Sequence, residues 1–129
     1  MFMSFERTQT REMTMRYGVM NAPMRPLLEE IEALGPLGFD YLELAMDPPM
    51  AHHSLLARQQ KDILKALRDK GLGVICHLPT FVTTADLTES LRRASVDEMR
   101  RSLEVATALG TAKVVLHPSM VSGMGPLVL

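Results

Sequence analysis

Lys113-Val114-Val115-Leu116-His117-Pro118 is the stretch that decides how this chain is read. A short apolar, β-branched run ends on a histidine, and the proline behind it lacks the amide a strand needs to continue. Gly73-Val74-Ile75-Cys76-His77-Leu78-Pro79 repeats the design earlier in the chain. Each segment reads as a strand that delivers an imidazole to its C-terminal tip. If the two strands lie parallel in one sheet, both rings reach the same rim. In open α/β sheets and in closed (β/α) barrels, that rim is where ligands bind.

Moving outward, the elements before these strands supply crossovers of the right length. Residues 15–20 form a first short strand, weakened by Gly18. After Asn21-Ala22-Pro23, Pro26 suits a first helical position, and Leu27, Leu28, Ile31 and Leu34 make one apolar face until Gly35-Pro36 stops the helix. Tyr41-Leu42-Glu43-Leu44-Ala45 is a second strand, closed by Asp47-Pro48-Pro49. Ser54 is placed to cap a helix over residues 55–70, with Leu56, Ile63, Leu64 and Leu67 inward and Gly71 beyond its end. A polar connection over residues 78–94 follows the third strand, with a turn of helix near residues 87–91. Ser95-Val96-Asp97-Glu98 then reads as a capping box, opening a helix that buries Met99, Leu103, Ala106 and Leu109 and stops at Gly110. The fourth strand spans residues 112–117.

The expectation is an α/β fold of parallel (β/α) units, four strands alternating with three helices, each long enough for a right-handed crossover. The domain covers residues 15–129, and residues 1–14 form a polar, aperiodic, flexible lead. A chain of 129 residues has room for one domain with a core. With 47% apolar and 22% charged residues, its composition is that of an ordinary soluble protein. Fourteen basic against fifteen acidic residues leave a net charge of −1 and no basic run, so nucleic acid is not an expected partner. No window approaches the ~18 apolar residues of a membrane span, and the N-terminus has no apolar signal region. Cys76, the single cysteine, sits inside a strand as a small buried hydrophobe, consistent with a reducing, cytoplasmic setting.

Three stretches together resemble the N-terminal half of the xylose isomerase-like barrels. They are Gly38-Phe39-Asp40-Tyr41-Leu42-Glu43-Leu44, His77-Leu78-Pro79, and Ala106-Thr107-Ala108-Leu109-Gly110 leading into Val114-Val115-Leu116-His117-Pro118. That superfamily holds sugar and sugar-phosphate isomerases and epimerases, and also the apurinic endonucleases of family two. The resemblance implies half of a TIM barrel, since a full one has eight strands and typically ~250 residues. It also implies a divalent metal (Zn, Mn, Mg or Co) in the intact barrel, with most metal-binding side chains on strands five to eight, so that 129 residues alone hold no tight metal site and are not active.

Three residues match the family's functional positions: Glu43, His77 and His117. In the endonuclease branch the two histidines resemble zinc ligands; in the isomerase branch the same positions face substrate oxygens. Two imidazoles are not a metal site by themselves, because catalytic zinc usually takes three protein ligands and water. Without the resemblance, a hydrogen-bonded pair of strand-end histidines is the plainer reading. Glu43 interrupts an apolar strand and is either an acid, base or substrate contact or half of a structural ion pair. Asp47 reads as a turn residue, and His52 and His53 as solvated loop residues. Arg92, Arg93, Arg100 and Arg101 read as outer surface, and Ser122-Gly123-Met124-Gly125 as a weak phosphate-turn signal.

The function expected is a divalent-metal-dependent sugar or sugar-phosphate isomerase or epimerase acting by proton transfer next to a carbonyl, represented here by its N-terminal half. Two alternatives stand beside it: a zinc-dependent apurinic endonuclease, and a non-catalytic half-barrel acting as an assembly module. Four open strands expose two edges and one face, and a homodimer of half-barrels hides both.

Overall fold

A computed structural model describes residues 15–111 and 113–119. Four strands form one sheet in the order β1-β2-β3-β4: β1 (Gly18–Met20), β2 (Tyr41–Ala45), β3 (Gly73–His77) and β4 (Val114–Val115). Every pair is parallel, with Glu43 beside Ile75 and Ala45 beside His77. The helices between them are α1 (Leu27–Leu34), α2 (His53–Arg58), α3 (Gln60–Asp69) and α4 (Glu89–Ala108). No described helix is long and apolar enough to cross a membrane.

The two faces of the sheet differ. Leu42, Leu44 and Cys76 alternate onto the helical side and are fully buried there. They join Leu27 and Ile31 of α1, Leu56 of α2, Ile63 and Leu67 of α3, and Met99, Val105 and Ala106 of α4 in one core. Tyr41, Glu43, Ala45, Ile75 and His77 alternate onto the opposite face, which in a closed barrel is the interior.

Two helix ends fall where their glycines predict. Gly71 (φ 65°) and Gly110 (φ 75°) take the left-handed conformation that side chains avoid. The N–H of Leu72 donates to Leu67 O (2.9 Å) and that of Thr111 to Ala106 O (3.2 Å), giving Schellman ends to α3 and α4. After Gly71 the chain enters β3 at Gly73.

Four expectations about the helices need correction. The single helix over residues 55–70 is two, bent at Gln59 (φ −97°, ψ 7°). Hydrogen bonds continue through the bend, Gln59 N–H to Leu55 O and Ile63 N–H to Gln59 O, so no glycine or proline marks it in the sequence. Its cap is His52, not Ser54: the Ser54 N–H donates to His52 Nδ1 (3.4 Å). The capping box is not a start either, because α4 begins at Glu89, where residues 89–94 are helix-compatible and Arg93 pairs with Glu89 one turn away. Asp97 instead binds Arg100 and Arg101 on the outer face. Finally, the buried stripe of α4 runs Met99, Ser102, Ala106, Leu109, leaving Leu103 42% exposed. A serine at 0% exposure occupies the place a hydrophobic reading gives to leucine.

β4 is also shorter than expected. Its ladder ends at Val115, whose carbonyl accepts from Leu78 N–H (2.9 Å), because β3 has already ended at His77 and Leu78-Pro79 offers no further strand. Residues 1–14, Ala112 and Ser122 to Gly125 lie outside the described residues.

Cys76 carries a prediction. Burial pushes its thiol up from 9.0 to about 11, so the neutral form is favoured in the folded state. This stabilisation is complete below pH 9, and folding stability should fall as pH rises from 9 towards 11. Urea titrations across that range check it, and Cys76→Ala should flatten the loss. At neutral pH the thiol should resist alkylation until the chain unfolds.

Candidate functional site at the strand tips

Each strand tip is tied to its neighbour by a side chain just beyond the strand. Asn21 Oδ1 accepts from the Ala45 N–H (2.7 Å), joining β1 to β2. Asp47 is 5% exposed and accepts from Thr80 N–H (2.8 Å) and Thr80 Oγ1 (3.2 Å), joining β2 to the loop after β3. Ser119 Oγ accepts from Thr84 N–H (2.9 Å), joining that loop to the segment after β4. Glu30 fixes the first loop from below, accepting from Ala22 N–H (3.0 Å) and pairing with Arg25 (3.1 Å). Ties of this kind, charge-assisted at Asp47 and Glu30 and neutral at Asn21 and Ser119, hold a rim in one geometry.

On this rim the two predicted histidines meet. His77, at the tip of β3, is 7% exposed, and His117, past β4, is exposed. Their Nε2 atoms are 2.9 Å apart and their ring centroids 4.8 Å. His77 Nδ1 lies 3.1 Å from the Leu78 carbonyl, which can only accept, so Nδ1 carries the proton. The His77 Nε2 lone pair therefore faces His117, whose Nε2–H donates to it. The pair can take up one further proton and share it, which is the chemistry of a proton relay.

Beside the pair opens a cleft of about 480 Å³, walled by Met20, Pro23, Met24 and Phe81, with Asp47, Thr80 and the two imidazoles as its polar groups. Phe81 is 85% exposed at its mouth. A mostly apolar wall with a few convergent polar groups is the usual make-up of a small-molecule site.

Glu43 is not gathered into this cleft. Its side chain is on the same inner face, but two residues before the β2 tip, roughly 7 Å further down the strand. Among the described residues its carboxylate has no hydrogen-bond or ion-pair partner, so the structural ion pair weighed from the sequence is not formed there. Asn21 and Asp47 escaped the sequence reading as rim residues. The available signal was position: each stands just past a strand, at the level where His77 and His117 stand. His52 and His53 are not free loop residues either. His53 is 8% exposed, and Glu98 Oε2 lies 2.9 Å from His53 Nε2 and 3.1 Å from His52 Nε2.

Residues 31–127 match the family model described as the xylose isomerase-like TIM barrel. The chain belongs to the xylose isomerase-like TIM-barrel family. A D-tagatose 3-epimerase-like protein shares the fold with a TM-score of 0.74 at 21% identity, over 86% of this chain and 40% of that one. A 3-keto-D-glucoside 4-epimerase from E. coli, in its apo form, gives a TM-score of 0.61 at 23% identity, over 80% and 38%. This chain thus spans about 40% of the length of these solved relatives. None of the curated proteins is a match to it.

The donors on the xylose isomerase-like rim can be compared with the divalent metal the family resemblance implies. His77 and His117 offer two nitrogen donors, and no third histidine, cysteine or carboxylate atom groups with them among the described residues. Two donors do not make a site for a tightly held catalytic ion. These residues alone do not fit a metal.

Proposed function

We propose that this xylose isomerase-like chain supplies substrate-holding and proton-handling groups of a sugar or sugar-phosphate isomerase or epimerase. The His77–His117 contact at the rim, Nε2 to Nε2 at 2.9 Å beside an open cleft, carries this reading. Isomerisation and epimerisation next to a carbonyl move a proton off carbon and return it. An imidazole pair that passes a proton between its rings can accept the substrate proton and return it. Asp47 and Thr80 present polar atoms to sugar hydroxyls, and Met20 and Phe81 cover apolar ring faces. Glu43, deeper on the inner face, is the carboxylate assigned to the far side of the substrate. The epimerases among the structural relatives support the substrate class.

A divalent metal, if the complete barrel held one, would supply Lewis-acid chemistry and would take its ligands from outside this pair, leaving His77 and His117 to handle the proton. Four strands make half of an eight-stranded wall, so turnover requires four more strands; a second copy of this half-barrel is one source of them.

Sugar binding tests the proposal on the 129-residue protein itself. In saturation-transfer NMR, ketohexoses and ketose phosphates should receive magnetisation from the protein, and His77→Ala and His117→Ala should each abolish the transfer. An apurinic duplex should not bind. Binding of the duplex, with no sugar bound, overturns the proposal in favour of the endonuclease branch.

A further inference from the structure

A second group of ligating side chains sits in the helical layer, apart from the rim pair. His52 caps α2 and His53 is its first residue, which stands the two rings side by side with centroids 4.0 Å apart. Glu98 reaches across from α4, and its Oε2 lies within hydrogen-bond distance of both Nε2 atoms. The three ligating atoms all fall within 4.8 Å of one another, and no other such trio occurs among the described residues.

We propose that His52, His53 and Glu98 form a binding site for a divalent transition-metal ion of the zinc class, which pins α2 to α4. The donors are two imidazole nitrogens and one carboxylate oxygen, a set zinc accepts with a fourth position left for water. With zinc bonds of about 2.0–2.1 Å, tetrahedral ligand atoms stand roughly 3.3 Å apart. The observed separations of 3.1 and 2.9 Å need a small withdrawal of Glu98, and the two imidazole nitrogens, which stand within 4.8 Å of each other, must close towards that spacing by rotation of the rings.

The outer shell is also in place for His52. Its Nδ1 lies 2.9 Å from Ser54 Oγ. When Nε2 gives its lone pair to the metal, the proton moves to Nδ1, the Ser54 N–H gives up its acceptor there, and the Ser54 hydroxyl accepts from Nδ1 instead. A fixed acceptor behind a ligating imidazole sets its tautomer and orientation. Side-chain exposures of 35% for His52 and 37% for Glu98, against 10% for His53, give the site one anchored wall and a path for the ion. The helices it joins follow β2 and β3, whose tips carry Asp47 and His77, so a bound ion steadies two loops of the cleft. The site does not depend on the proposed sugar chemistry.

The test is titration of the chelator-treated 129-residue protein with Zn²⁺, and in parallel with Co²⁺, whose visible spectrum reports a mixed nitrogen–oxygen shell. One zinc should bind per chain and raise Tm. Glu98→Gln, which keeps the shape of the side chain, and His53→Ala should each weaken affinity by more than about 100-fold, and Ser54→Ala by about 10-fold. His77→Ala, which removes the rim pair, should leave zinc affinity unchanged. Absence of saturable binding, binding that survives Glu98→Gln, or binding lost in His77→Ala overturns the proposal.

Discussion

Leu44→Ala should destabilise the folded chain by about 3–4 kcal/mol, seen as a fall in Tm of roughly 10 °C or more in a thermal melt. Leu44 is fully buried in β2, an interior strand flanked by β1 and β3, and faces the helices. Truncation there loses the transfer energy of the side chain and leaves a cavity that the surrounding strands and helices cannot close. The comparison that gives this result its meaning is Leu103→Ala. Leu103 is 42% exposed, and its truncation should stay within about 0.5 kcal/mol of the parent. Equal losses at the two positions would place the inward stripe of α4 on Leu103 rather than Ser102.

Removing either rim imidazole should be the most damaging change to function. His77→Ala deletes a side chain held on Nδ1 by the Leu78 carbonyl and on Nε2 by His117. His117→Ala leaves His77 in place but takes away the partner that shares its proton. Because the two act as one proton-holding unit, each single variant should cost nearly as much as the double. In a barrel completed by four further strands, kcat/KM on a ketose should fall by roughly 10²–10⁴-fold for each. Asp47→Asn, which keeps the loop tie to Thr80 through its remaining oxygen, should cost less. Turnover that is indifferent to His77 would remove the rim pair from the chemistry.

The strands were the most legible part of the fold. Val74 to His77 and Tyr41 to Ala45 carry both strand preference and abrupt stops, so their extent is readable without tertiary information. Gly71 and Gly110 were equally plain, since a left-handed residue after a helix is a local requirement. The start of α4 was not legible. Ser95 to Glu98 satisfies the capping pattern, but Arg92, Arg93 and Ala94 before it are equally content in a helix, and local chemistry does not choose between the two starts. Leu103 and Ser102 show the complementary failure. Which of them faces inward depends on how closely α4 approaches the sheet, a tertiary distance.

The site divides the same way. His77 was readable because it ends β3 and His117 because it stands just past β4, and a parallel sheet sends such ends to one rim. Glu43 was read on the correct strand, but its depth below the rim depends on register, which the sequence alone does not supply. Glu98 was assigned to a local cap, whereas its partners, His52 and His53, lie far away in the chain and reach it only once α2 packs on α4. Long-range polar contacts of this kind leave no periodic trace in a sequence.

The account rests on two imidazoles meeting at a rim that binds sugar, and histidine-selective NMR tests it most directly. With uniformly labelled protein, NOEs should connect the ring protons of His77 and His117, and Nδ1 of His77 should be the protonated nitrogen. Addition of a ketose should shift both rings while those of His52 and His53 stay where they were. Absence of the His77–His117 NOE, or ketose-induced shifts confined to His52 and His53, would contradict it.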